Sequence, residues 1–187
     1  NRVVKRANKA NENAADGGTQ ITVEPDTEYS VPVLYGTGFV EGKITDAILA
    51  NNNIDMWVCY TICEQTGNLI DNTASVISFE ELYIDGLRIG FRDDGYTVSD
   101  IWDDSDNNST QWDGLIEVYP FAGNSNSPSS FTTETNGNTT PAYNLMPNWD
   151  SNDTMDELVF CIIKFRYNSN QDVKLTNIGK NVKFKLS

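Results

Sequence analysis

Hydrophobic and polar positions alternate with a period of two along much of this chain. Val31, Val33 and Tyr35 fall on one face of an extended segment. The run from Met56 to Cys63 is apolar or weakly polar on both faces, as a strand buried between layers requires. The pattern predicts strands at 20–23, 29–35, 38–50, 56–63, 76–83, 87–91, 115–121, 158–167, 172–178 and 182–186. Pro32 cannot donate to a ladder, which puts it at an edge or a strand start. Asn51-Asn52-Asn53 predicts the turn that joins 38–50 to 56–63 as a hairpin, because Asn tolerates left-handed backbone. Asp85-Gly86 supplies the positive φ angles of a two-residue loop between 80–84 and 87–91. Helical periodicity and internal repeats are lacking. The expected fold is all-β, an antiparallel barrel or sandwich.

The ends and the middle break the alternation. Residues 1–19 predict an N-terminal arm or linker, since Gly17-Gly18 stops any helix begun by the basic segment 2–9. Residues 20–187 then form a single β domain. Within it, 92–157 predicts an insertion or a set of long loops, rich in Asn, Ser, Thr and Asp. Its aromatics, among them Tyr96, Trp102, Trp112, Tyr119, Phe131 and Trp149, are too many for plain disorder and predict anchoring on the domain or on a neighbour.

The net charge is −14, and it is unevenly spread. Residues 10–163 hold every acid except Asp172 and, of the bases, only Lys43, Arg88 and Arg92. An acidic body disfavours specific nucleic-acid binding, which needs Lys and Arg against phosphate. It fits a solubilising surface, basic ends docked on an acidic neighbour, or a conduit to which DNA does not adhere. No apolar run approaches a membrane span, and no charged-then-apolar leader is present. With no Met at position 1, the sequence reads as a processed product or a stretch of a longer protein.

Candidate chemistry is sparse. Cys59 and Cys63 are expected on one strand face, too far apart to bridge each other. Buried free thiols are the expectation, with a cross-strand bridge from Cys161 to either as the alternative. The segment Asp103 to Asn108 alternates oxygen ligands, so Asp104, Asp106 and Asn108 are weak metal candidates. It lacks the glycine and closing acid of a calcium loop, and a solvated turn is preferred. Asp150, Asp153, Asp156 and Glu157 form a second acidic cluster of the same kind.

Paired carboxylates do not assemble an acid–base site. Glu80 and Glu81 point to opposite faces. Asp113 and Glu117 sit about 13 Å apart at the usual strand rise, outside glycosidase geometry. The chain has no histidine for a triad, no phosphate loop and no dinucleotide fingerprint, so neither catalysis nor a cofactor is expected. Trp102, Trp112 and Trp149 are candidate interface residues, or sugar-stacking residues in a glycan- or receptor-binding β-sandwich. The Asn-x-Ser/Thr sequons at Asn107, Asn108, Asn138 and Asn152 matter only on a eukaryotic secretory route.

Two short patterns carry a resemblance. Pro32-Val-Leu-Tyr35-Gly36 followed by Val40 and Gly42 is one; Glu81-Leu-Tyr-Ile-Asp85-Gly86 is the other. In this order they resemble the tail-tip (baseplate hub) proteins of tailed phages, of the lambda J type, and the hubs of gene transfer agents. The ending 177–186 looks like the family's strand leading to a next hub domain. The matched positions are structural and not catalytic, and 92–156 is unmatched. The resemblance implies a virion tail component assembled in the host cytoplasm. It also implies a homotrimer that contacts tail-tube, distal-tail and fibre proteins.

Overall fold

The computed structural model describes residues 30–65, 77–133, 136–167 and 181–187. Within them the strands are β1 (Gly38–Glu41), β2 (Lys43–Ala50), β3 (Asp55–Glu64), β4 (Phe79–Ile84), β5 (Leu87–Phe91), β6 (Val98–Trp102), β7 (Asn108–Ser109), β8 (Ile116–Ala122), β9 (Leu158–Arg166) and β10 (Val182–Leu186). One single-turn helix spans Ala142–Leu145. The strands pair antiparallel in two sheets, of order β1-β10-β4-β5-β6-β7 and β2-β3-β9-β8. The fold is an all-β sandwich.

Between the sheets lies the main core. The six-stranded sheet contributes Phe79, Leu82, Ile84, Phe184 and Leu186; the four-stranded sheet contributes Val58, Tyr60, Val118, Ile163 and Phe165, all fully or almost fully buried. The far side of the four-stranded sheet is covered as well. Ala142, Leu145 and Met146 pack there on Cys59, Phe121, Phe160 and Ile162, with Trp149 and Met155 alongside. Both faces of β3 and β9 are therefore dry, which is why 56–63 shows no polar alternation.

Two devices join the sheets at their sides. At Gly42 the chain leaves β1 in one sheet and enters β2 in the other, the bend by which sandwich strands change sheets. A Cβ on Gly42 would stand 2.9 Å from Phe184 Cε2 and 3.0 Å from Tyr60 Cβ, so glycine is needed for room. On the opposite side, Val118 N–H donates to Tyr96 O at 2.8 Å and Gly114 N–H to Val98 O at 2.9 Å, tying β8 to the start of β6.

Several expectations hold and several shift. The hairpin turn carries Asn51, Asn52 and Asn53 at φ 51°, 55° and 65°. The Asp85-Gly86 loop has φ 52° and 85°, the paired left-handed angles of a tight two-residue hairpin turn. The expected strand 38–50 is broken at Gly42 into β1 and β2. The expected strand 29–35 shrinks, in its described part, to one parallel bridge between Val33 and Glu64, with Glu64 N–H donating to Pro32 O at 2.9 Å. There Pro32 serves as acceptor only, consistent with its missing N–H. The arm 1–19 and the strands expected at 20–23 and 172–178 lie outside the described residues.

The stretch 92–157 supplies β6 and β7 to one sheet and β8 to the other, and its remaining loops cover the far face. Expected to face one way, Cys59 and Cys63 do not. The register of β3 on β9 shifts between Thr61 and Cys63, so Cys63 turns into the main core while Cys59 faces the covering loop. All three cysteines are free and buried.

Candidate functional site

The face of the six-stranded sheet that looks away from the core is its most organised polar surface. The register fixes what lies there. Glu41 of β1 stands beside Lys183 of β10, then Tyr83 of β4, Arg88 of β5, Trp102 of β6 and Asn108 of β7, one unbroken row across all six strands. A second row runs from Phe39 through Lys185 to Glu81. The two-residue loop at Asp85-Gly86 sets Tyr83 opposite Arg88 and so aligns the rows.

Neighbours in these rows neutralise and orient one another. Tyr83 Oη donates to Glu81 Oε2 at 2.5 Å, and Lys185 Nζ donates to Glu81 Oε1. The Lys185 and Tyr83 donors hold the Glu81 carboxyl below the usual range. Burial and the Glu81 acceptor push the Tyr83 phenol up to about 12. The Phe39 ring meets Tyr83 edge-on at 5.7 Å. The Arg88 guanidinium lies 4.8 Å from the centre of the Trp102 ring, a cation–π contact. Asp100 accepts hydrogen bonds from Trp102 Nε1 and Ser99 Oγ. Beside it, Gly90 leaves the space in which a Cβ would stand 2.7 Å from Asp100 Oδ1.

A shallow depression of about 270 Å³ opens on this face, lined by Glu80, Glu81, Arg88, Gly90, Trp102 and Thr133 among others. Ser187 Oγ donates to Glu80 Oε1 at 2.6 Å. The depression therefore offers an indole, a guanidinium and carboxylates already engaged by their own neighbours.

At the β1 end, the same sheet exposes apolar groups. Tyr35 is 86% exposed and Phe39 62%, with Val33 at 41%. Gly36, at φ 74°, turns the chain between the two aromatics. Beyond β1 no further strand pairs among the described residues.

The other candidates have separate places. Trp112 is buried in the main core at 6% exposure, so it is a packing residue and not an interface residue. Trp149 packs on the covered far face and donates from Nε1 to buried Asp46 Oδ2 at 2.7 Å. Only Trp102 of the three stands on the outer face. Asp103 accepts from the Ser105 and Asn107 N–H groups, which closes the acidic segment into a turn. Asp104, Asp106 and Asn108 are exposed around that turn. Among the described residues, no three His, Cys, Asp or Glu side chains gather to hold a metal ion. Of the carboxylates weighed as catalytic pairs, Asp113 is ion-paired with Arg92 at 2.8 Å and Glu117 with Lys164 at 3.0 Å. Glu80 and Glu81, expected on opposite faces, both border the depression, because the pairing of β4 with β10 shifts register there; Glu81 is held by Lys185 and Glu80 by Ser187. No described helix is long and apolar enough to cross a membrane.

The residues of the two sequence patterns sit at joints: Pro32 and Tyr35 before the β1 edge, Gly36 at a turn, Gly42 at the bend between sheets, Asp85 and Gly86 in the hairpin loop. The Glu81–Lys185–Tyr83 and Arg88–Trp102 groupings are the features that residue-by-residue reading missed. The Asp-Gly loop, whose two-residue length places Tyr83 opposite Arg88, was the available signal that the two groupings adjoin; the Arg88–Trp102 pair itself depends on the register of β6. Compared with known proteins, the chain matches no family model and no curated protein.

Proposed function

We propose that this chain is a structural subunit of a phage-like virion tail tip or baseplate hub, working through contacts with other subunits. The observation that carries the reading is the exposed Phe39 on the outer strand β1 and the exposed Tyr35 just before it, at the side of a well-packed sandwich. Large aromatics held in the open at a sheet edge are the composition of a contact surface. The Pro32–Gly42 and Glu81–Gly86 patterns support the reading through their resemblance to hub proteins, and the first of them leads into this edge. On this reading three copies surround the tail axis and contact tail-tube, distal-tail and fibre proteins. Immunogold labelling of intact particles tests it: label at the distal tail supports the reading, and label on the capsid shell overturns it.

One observation favours a second reading, a glycan- or receptor-binding module. The Trp102 indole borders a depression with the hydrogen-bonding groups of Glu80, Arg88 and Thr133, a combination that suits a sugar ring. Glycan-array binding lost on Trp102→Ala would favour it; an array blank for the unaltered chain would remove it.

A further inference from the structure

The strands β4 and β5 part soon after their hairpin loop. Their pairing covers Ile84–Leu87 and Tyr83–Arg88, and beyond it Phe131 runs beside β4 instead, bridged parallel to Phe79. The Phe131 ring lies 4.8 Å from that of Phe91 and 5.7 Å from that of Phe79, and is 1% exposed. It plugs the gap between the strands and closes the floor of the depression toward the core. Gly90 brings no side chain to that floor, so the depression stays open.

The polar groups around it are held in place by their neighbours. Trp102 Nε1 donates to Asp100, which fixes the indole, and the Arg88 guanidinium lies over that ring. Among the described residues no hydrogen bond or ion pair takes up the Arg88 N–H groups. Glu80 accepts from Ser187 Oγ at 2.6 Å and from Thr132 Oγ1 at 3.4 Å, which leaves about half of a carboxylate's lone-pair sites for a ligand. Thr133 adds a hydroxyl that both donates and accepts.

Charge selects the class of ligand. Glu81 is paired with Lys185, and Glu80 stands against Arg88, with Asp100 bonded to Trp102. An anion placed here gains Arg88 and meets Glu80 and Asp100; a cation gains Glu80 and meets Arg88. An uncharged ring bearing hydroxyls uses both kinds of group, since each hydroxyl accepts from Arg88 or donates to Glu80. Size sets how much of it enters. About 270 Å³ falls below the roughly 300–1,000 Å³ of sites that enclose drug-sized ligands, which leaves room for a single ring.

We infer that this depression takes one uncharged hexose unit of a saccharide, with Arg88 as donor, Glu80 as acceptor and Trp102 as the aromatic border, and that it rejects acidic sugars. The inference rests on the glycan-binding reading above and names the sugar class that the site accepts.

An array of neutral, amino, sialylated and sulfated glycans, probed with the full chain, tests it. The strongest signals should come from neutral glycans, with sialylated or sulfated forms of the same glycans at least about tenfold weaker. Calorimetry with the methyl glycoside of the bound unit should show about a tenfold or greater loss of affinity for Arg88→Gln. Glu80→Gln should raise the ratio of acidic to neutral binding at least about threefold, a change in selectivity that a merely weakened fold does not produce. Circular dichroism verifies that both variants fold; should either misfold, the selectivity of the unaltered chain decides. Strongest binding to acidic or amino glycans, or neutral binding undiminished in Arg88→Gln, overturns the inference. Acidic-selective binding that is lost on Trp102→Ala overturns it alone and leaves the glycan-binding reading standing, whereas a blank array removes both.

Discussion

Replacing Gly42 by alanine puts a methyl group where the structure has no room for one. The added carbon would lie 2.9 Å from Phe184 Cε2, 3.0 Å from Tyr60 Cβ and 3.3 Å from Tyr60 Cδ1. Phe184 is 0% and Tyr60 1% exposed, so neither ring can swing out to solvent. Either the bend between β1 and β2 opens or the core rings leave their positions. Overpacking of this kind costs about 1–3 kcal/mol. In a domain of this size each kcal/mol moves the melting temperature by about 2–4 °C, so Gly42→Ala should melt roughly 2–12 °C lower. Urea unfolding followed by tryptophan fluorescence should show a lower midpoint at unchanged m-value. Adding Phe184→Leu removes the closest contact, so the double variant should be less destabilised than the sum of its parts, by at least about 0.5 kcal/mol. A Gly42→Ala protein within about 0.5 kcal/mol of the original would refute the claim that the sheets are locked together at this corner.

Three further outcomes follow from the same packing. Trp149→Phe removes the indole donor to Asp46 Oδ2 and should destabilise by about 1.5–3 kcal/mol, read from urea midpoints; a neutral result would mean the far-face cover contributes little there. Burial pushes the Cys59 thiol up to about 12 and the Cys63 thiol up to about 11, and drives Cys161 upward too. Ellman's reagent at pH 8 should therefore label none of them quickly until denaturant is added, and fast native labelling of any would contradict their burial. Acid stability should also break at a defined place. Lys185 and Tyr83 lower the Glu81 carboxyl, and Ser125 lowers that of Asp156; burial raises Asp94, but donors from Thr97 and Tyr96 outweigh it. Groups with depressed native values contribute stability above the ordinary carboxylate range and lose it as pH falls through the native values. The melting temperature should thus fall below about pH 4, and one level down to pH 2 would contradict these bonds.

Local chemistry made much of this fold legible. Asn51-Asn52-Asn53 and Asp85-Gly86 named their turns because few other residues accept left-handed angles, and β5 and β10 followed from unbroken alternation. What escaped was non-local. Nothing in the run 38–50 announces that Gly42 bends between two sheets; that depends on Phe184, far away in sequence. The strand β6 hid because its inward residues, Val98 and Ile101, lose their even spacing at an irregularity in the pairing. An irregular register also sends Cys63 to the face opposite Cys59. Of the interface tryptophans, Trp112 and Trp149 look alike in sequence to Trp102, but burial is decided by the opposing layer and not by the residue.

The most direct test of the contact-surface account is high-resolution imaging of intact tailed particles carrying this chain. The expected result is the double sheet repeated around the distal tail axis, with Tyr35 and Phe39 covered by a neighbouring subunit. Copies on the capsid shell, or copies at the tail whose β1 edge faces open solvent, would contradict it.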